Sequence, residues 1–381
     1  MSVMTAVVKM SPGPGLSLTT VEVPQIAPHE ILVRVRAASI CGTDLHIYRW
    51  DNWAQGRIKP PLVAGHELCG EVVERGAQVT NVQIGAFVSA ESHVTCGTCS
   101  QCRTGRAHLC QNTQIIGVDR DGCFAEYIAI PAGNAWLNPP DMDPEIACLQ
   151  ENFGNAVHTA FKTDLTAKKV LVTGCGPVGL MAIEVVRSAG PRAIYATDIS
   201  PYRLNLARRL GANLALNPRD VDVVETIMEE TEGEGVDVLL EMSGAPPAIN
   251  EGFTLLKDGG EAALLGLSPA PFEFDLNNHI IFKGVTVYGV IGRQIWETWY
   301  QMRGLLKAGA VDLRPIVTHL FRLEEFERAF EVMASGESGK VVLFPDGGEY
   351  EAAVERMLYF QSPISNLQYP IPNTQYPNSE E

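Results

Sequence analysis

A largely apolar pentapeptide, Lys169-Val-Leu-Val-Thr173, runs straight into Gly174-Cys-Gly176-Pro-Val-Gly179, and a helical pattern follows over residues 178–189. A G-x-G-x-x-G run alone is a weak signal. Set between a strand and a helix, it dictates a strand–turn–helix unit built to receive a dinucleotide. Gly174 permits the tight turn, Gly176 leaves room for a pyrophosphate, and Gly179 lets helix and strand pack closely. The helix N-terminus adds free amide donors and a partial positive charge. Strand patterns recur at 193–197, 236–240, 262–265 and 285–290, with a helical pattern at 202–210 stopped by Gly211. Strands alternating with helices predict a doubly wound parallel sheet, an α/β architecture covered on both faces. Asp198 ends the second strand, where a carboxylate would accept from an adenosine ribose and repel a 2′-phosphate. That favours NAD over NADP. Arg203 follows at a distance that would let it cover the adenine edge; the plain alternatives are a helix cap for Asp198 and a solvated charge for Arg203.

The remainder reads differently. Residues 1–150 carry short alternating stretches such as Ile31 to Arg36, punctuated by Pro and Gly, and predict a β-rich domain. The pattern turns helical over 145–161. After a helical stretch beginning at Trp296, residues 316–344 return to strand–helix–strand and are assigned to the first domain. The division is therefore 1–155 with 296–345 for a discontinuous catalytic domain, and 156–295 for the dinucleotide domain. A chain of 381 residues supports this, because a single core stops growing near ~250–300 residues. From Asp346 the chain becomes polar and Pro-rich, with Leu358-Tyr-Phe-Gln-Ser resembling a protease recognition site. This tail, 346–381, is expected to be poorly ordered and is set aside.

The net charge of −16 argues against nucleic acid or an anionic membrane surface as the main partner. The longest apolar stretch, 170–186, is broken by Gly174, Gly176, Pro177 and Glu184, and the N-terminus lacks a charged head and apolar core. A soluble cytoplasmic protein is the expectation.

Nine cysteines in such a compartment favour metal over disulfides. Cys96-x2-Cys99-x2-Cys102-x7-Cys110 places four thiolates where one tetrahedral zinc ion would take them all. The intervening residues are small or polar, so clustered core thiols are a poor alternative. With no open position, this site would hold a lobe and not catalyse. A second set lies upstream: Cys41, then His66 and Glu67, the mixed donors of an open zinc site. Thr43 and His46 stand between them, a hydroxyl and an imidazole able to pass a proton. Glu151, at the domain junction, would serve as a further ligand or as a base.

Taken with the downstream Gly70, the Gly65-His66-Glu67 segment, the cysteine lobe and the glycine turn resemble the zinc-containing medium-chain dehydrogenase/reductase superfamily, over residues 1 to about 345. Ser89 to His93, Glu151 to His158 and Gly292 to Tyr300 are similar to the branch of that superfamily acting on L-threonine. The resemblance implies a β-rich GroES-like catalytic domain beside a Rossmann domain. It implies a catalytic zinc at Cys41, His66, Glu67 and, in some states, Glu151. It implies a structural zinc at the four cysteines, and a proton relay through Thr43 and His46. It makes His93 a residue that shapes substrate choice, and places Val178, Asp198, Arg203, Leu265, Gly266, Leu267, Val290 and Ile291 at NAD contacts. The implied reaction is oxidation of L-threonine to L-2-amino-3-oxobutanoate by NAD, in a homotetramer. Arg293 is a candidate anchor for the substrate, a cofactor contact or a subunit contact. Two alternatives stay open: a polyol or diol dehydrogenase of the same superfamily, and a non-catalytic zinc-binding homologue. Gly85-Ala86 and Cys69 depart from the superfamily's usual residues, at positions that concern packing.

Overall fold

The computed structural model describes residues 2–361. Six parallel strands form one sheet in the order Leu214–Leu216, Ala193–Thr197, Lys169–Thr173, Val236–Glu241, Leu256–Leu264, Thr286–Gly289. The first strand in sequence, Lys169–Thr173, therefore lies between the second and the fourth. The order reverses there, and crevices at such reversals bind ligands at the carboxyl ends of the strands. All five of its residues are buried, as a strand covered on both faces requires. The helix Pro177–Ser188 leaves its end, and Thr286–Gly289 closes the far edge.

The N-terminal strands build a second, mainly antiparallel sheet. Its order is Ala135–Leu137, Phe87–Ala90, Glu67–Arg75, Glu30–Ser39, Lys340–Phe344, Val317–Arg322, with Tyr127–Pro131 also on Glu30–Ser39. The strands Val317–Arg322 and Lys340–Phe344 thus join elements some 300 residues earlier in the chain. Register decides what they bring: Ser39 pairs with Glu67 on one side and with Val342 on the other, so Lys340 arrives beside Glu67.

One buried helix, Gln150–Ala160, ties the two sheets together; every residue but Asn155 is buried. Its Phe153, Ala156 and Val157 belong to a core that includes Ala37, Cys69 and Trp136 from one sheet and Val170, Val172 and Ala196 from the other. Cys69 is fully buried, donates to the Pro144 carbonyl at 3.2 Å, and its thiol is pushed up by burial.

The segment after Asp346 departs from the sequence expectation. Gly347–Gln361 is a helix. Ala353 is buried against the body of the protein, and Tyr350 packs on the same core. Arg36 pairs with Glu349, and Arg356 meets both oxygens of Glu145 at 2.8 and 2.7 Å. The Pro-rich stretch around Tyr369 and Tyr376 lies outside the described residues. Among the described residues no helix is long and apolar enough to cross a membrane.

Candidate active site

The chain turns at Gly65 with φ of +90°, and a Cβ there would sit 2.3 Å from the Phe124 ring. Only glycine meets both conditions. The turn delivers His66 and then Glu67, the first residue of its strand, into the interior. Cys41 comes from the opposite side as the residue preceding the helix Gly42–Arg49, its backbone N–H donating to Asp44 at 2.8 Å. Ligand atoms of Cys41, His66 and Glu67 all lie within 4.8 Å of one another. Glu67 Oε1 is buried with no hydrogen-bond partner among the described residues. A thiolate, an imidazole and an orphaned carboxylate oxygen converging in this way fit zinc with one position open for substrate.

Three partners that the sequence did not disclose complete this set. Asp44 is wholly buried, with Oδ1 3.4 Å from His66 Nδ1. Burial disfavours a proton on His66, but Asp44 and Cys41 outweigh it and hold the imidazole well above its ordinary pKa. Such a field draws a cation. Lys340, also wholly buried, pairs with Glu67 and donates to the Ile40 carbonyl at 3.2 Å. Burial pushes the Glu67 carboxyl up against the opposing Lys340 charge. Ser39 supplies a hydroxyl to the same carboxylate oxygen. None of the three stands in a motif; only the strand register or the first helical turn places them.

Thr43 and His46 sit on the helix that Cys41 begins. Thr43 is half-buried. His46 is exposed and hydrogen-bonds Asp51 through Nδ1.

Glu151 lies outside the three-ligand cluster. Its Oε1 takes the Ser92 hydroxyl at 2.5 Å and Arg293 Nη1 at 2.7 Å. Arg293 is 1% exposed and engages all three guanidinium nitrogens: Nε with Glu91 at 2.9 Å, Nη1 with Glu151 and Asn155, Nη2 with Glu91 and Ser92. The guanidinium is committed to the protein and organises carboxylates around the site. Burial pushes the Glu91 carboxyl up, yet Arg293 and a 2.7 Å hydrogen bond from Trp299 Nε1 bring it down to about 2. His93 lies 3.3 Å from Arg293 Nη2, and burial followed by the Arg293 charge keeps its pKa below the ordinary value. Glu91 and Trp299 lie in segments that the sequence singles out, but it gave neither a role, because a buried Glu looks like any other until its partner is known.

The cysteine lobe is assembled as its spacing predicts. Sulfur separations are 3.5 Å for Cys99–Cys102, 3.9 Å for Cys99–Cys110 and 3.5 Å for Cys96–Cys110. Four sulfurs at ~2.3 Å from one tetrahedral ion lie about 3.8 Å apart, so the fit is direct. Backbone N–H groups of Cys96, Cys99 and Asn112 point at these sulfurs at 3.4 Å, compensating thiolate charge.

At the glycine turn, Gly174 has φ of +87° and Gly179 packs so closely that a Cβ would lie 1.9 Å from the Gly174 carbonyl. A Cβ on Gly176 would meet nothing within 4 Å, which leaves the helix N-terminus open to a phosphate. Asp198 accepts backbone N–H groups of Cys175 and Ser200 at 2.7 and 2.8 Å, tying the second strand to the turn. Arg203 Nε reaches the Ser338 carbonyl at 3.2 Å. Val178 and Leu265 pack on the core, Gly266 abuts the Glu241 carboxylate, and Val290 is buried. Leu267 and Ile291 are exposed, at 90% and 58%.

A parallel sheet with a glycine turn at its switch point, joined to a β-rich domain carrying two zinc-ligand sets, defines a class. Residues 27–140 match the alcohol dehydrogenase GroES-like domain and residues 177–308 the zinc-binding dehydrogenase family, and the chain belongs to the zinc-binding dehydrogenases. Within that family it stands among the L-threonine 3-dehydrogenases. It is 51% identical over 344 residues to the L-threonine 3-dehydrogenase of Symbiobacterium thermophilum, covering 90% of this chain and 98% of that one. Among solved structures, 2R,3R-butanediol dehydrogenase from Bacillus subtilis superposes with a TM-score of 0.82 at 28% identity, over 90% of this chain and all of the other. A structure described as a short chain alcohol dehydrogenase of E. coli CFT073, complexed with NADH, gives 0.83 at 27% identity, again over 90% of this chain and all of that one.

Proposed function

We propose that this chain oxidises L-threonine at its β-hydroxyl, giving L-2-amino-3-oxobutanoate, NADH and a proton. The observation that carries the reading is the Cys41–His66–Glu67 cluster in a chain that matches L-threonine 3-dehydrogenase over nearly its whole length. Zinc held there would supply a Lewis acid for the substrate hydroxyl, and bound NAD would supply the hydride acceptor. Cys41, His66 and Glu67 hold the metal, and Lys340 balances the charge they accumulate. Thr43 takes the hydroxyl proton and His46 releases it to water at the surface. Glu151, poised between Ser92 and Arg293, serves as the nearby base. His93 shapes the pocket beside the transferred hydrogen. Gly174, Gly176, Val178 and Gly179 receive the pyrophosphate; Asp198 and Arg203 receive the adenosine, with NAD preferred to NADP. Leu265, Gly266, Leu267, Val290 and Ile291 line the path of the nicotinamide. Cys96, Cys99, Cys102 and Cys110 hold the second zinc. The β-keto product should lose CO2 to give aminoacetone.

We read residues 1–155 with 296–345 as the catalytic domain and 156–295 as the dinucleotide domain, in a cytoplasmic homotetramer. The test is NADH formation from L-threonine beside sorbitol and 2,3-butanediol, each repeated with NADP. Turnover of threonine with NAD supports the proposal; turnover of the polyol or diol alone overturns it. Loss of turnover in Cys41→Ser, against two zinc ions per chain in the parent, separates an enzyme from a non-catalytic homologue.

A further inference from the structure

His158 is buried at 5% exposure on the helix shared by both domains. Its Nδ1 lies 2.8 Å from the Gly292 carbonyl oxygen. A carbonyl only accepts, so Nδ1 carries the proton and Nε2 is a bare lone pair. Nε2 has no partner. The ring stands edge-on to His108 of the cysteine lobe, centroids 5.5 Å apart at 86°, and His108 Nδ1 is likewise buried without a partner. Burial holds His158 down to about 4, so the ring stays neutral at working pH.

The carbonyl it grips belongs to a crowded residue. Gly292 has φ of +56°, and a Cβ there would lie 2.7 Å from the His93 ring. The next residue, Arg293, threads past Gly154, where a Cβ would come within 2.5 Å of the arginine stem. Two residues before Gly292, the Val290 N–H donates to the Leu264 carbonyl at 2.9 Å, closing the sheet side of the same segment. One carbonyl thus sits between the stretch assigned to the nicotinamide, the histidine assigned to the substrate and the arginine that holds Glu151.

We propose that His158 is a positioning residue for hydride transfer: its Nδ1–H fixes Gly292, and through it the 290–293 segment and His93, while His108 buttresses the ring from the cysteine lobe. The inference rests on the dehydrogenase reading above. It makes the lobe a support for the reaction geometry as well as a metal site.

Two amides separate the roles of the two ring nitrogens. His158→Asn places an N–H where Nδ1 stood; His158→Gln places it where Nε2 stood. The Asn variant should keep kcat within about threefold of the parent. The Gln variant should lose about 10- to 100-fold in kcat, the cost of a misplacement near 1 Å. With substrate deuterated at the reacting carbon, its primary isotope effect on kcat should rise above the parent's, which a loss of stability alone would not produce. Equal behaviour of the two amides, or an unchanged isotope effect in the Gln variant, overturns the proposal. Should either amide lose zinc, His108→Ala takes its place: a lower kcat with a raised isotope effect supports the buttress, and parent values overturn it. If the parent oxidises 2,3-butanediol and not threonine, the substrate reading falls, and the same comparison with deuterated diol still decides the role of His158.

Discussion

Two buried ion pairs govern the chemistry of individual residues. Lys340 faces Glu67 at 1% and 0% side-chain exposure. Removing one partner of such a pair strands the other charge. Lys340→Met is expected to cost on the order of 3–5 kcal/mol in urea unfolding and to lower zinc occupancy at the Cys41 set. Glu91 behaves oppositely in pH. Its carboxyl falls from the ordinary 4.5 to about 2 in the folded protein. Its stabilisation is therefore present above pH ~4.5 and lost as pH falls toward 2, an effect of roughly 3 kcal/mol. Glu91→Gln should lack that share of the acid-induced loss, measured as the urea midpoint at pH 7, 5, 4 and 3. A parent and variant with parallel acid limbs would count against the Arg293–Glu91 pairing.

Elements act by what they carry to a shared place. Among the described residues the cysteine lobe has only the short strand pair His93–Val94 and Gln114–Ile115 and two short helical turns, so four thiolates closing on one ion would stabilise its shape. Cys99→Ser should reduce zinc from two ions per chain to one, as counted by metal analysis, and lower thermal stability. The C-terminal helix is pinned from outside: Arg356 sits across Glu145 with 29% side-chain exposure, close to Asp143. Solvent screens such a pair, so Arg356→Ala should cost about 1 kcal/mol or less by urea unfolding and leave turnover unchanged. The helix Gln150–Ala160 is the opposite case. It presents Glu151, Asn155 and His158 to the polar network while Phe153, Ala156 and Val157 fill the core.

At the scale of the molecule, that helix makes the two domains one folding problem. Its core unites Trp136 of the N-terminal sheet with Val170 of the dinucleotide sheet, Leu180 of the helix Pro177–Ser188 and Val342 of the returning strand. Tryptophan fluorescence, to which the buried Trp136 and Trp299 contribute, should therefore melt together with far-UV circular dichroism in a single transition. Two separated midpoints would show that the shared wall is weaker than its burial implies.

Local rules sufficed wherever function depends on spacing along the chain. The apolar run 169–173 and the glycines behind it set a strand, a turn and a helix, because backbone sterics and strand burial act on neighbours. The Cys96–Cys110 ligand spacing did the same, since four sulfurs a few residues apart can close on one ion without help from elsewhere. Asp44, Glu91, Lys340, Trp299 and the His158–Gly292 contact were illegible, for one reason. Each is an ordinary residue until a distant strand or helix brings a charge or a carbonyl to it, and the register of Ser39 against Glu67 and Val342 is decided by packing over the whole sheet. The same holds for the helix after Asp346, which docks through Ala353 and through pairs with Arg36 and Glu145 far upstream. The sequence by itself thus determined which metals and cofactor the chain is built to hold. Only the tertiary structure decided which charges balance them and what keeps the reacting groups in line, because those interactions are made across the fold and not along the chain.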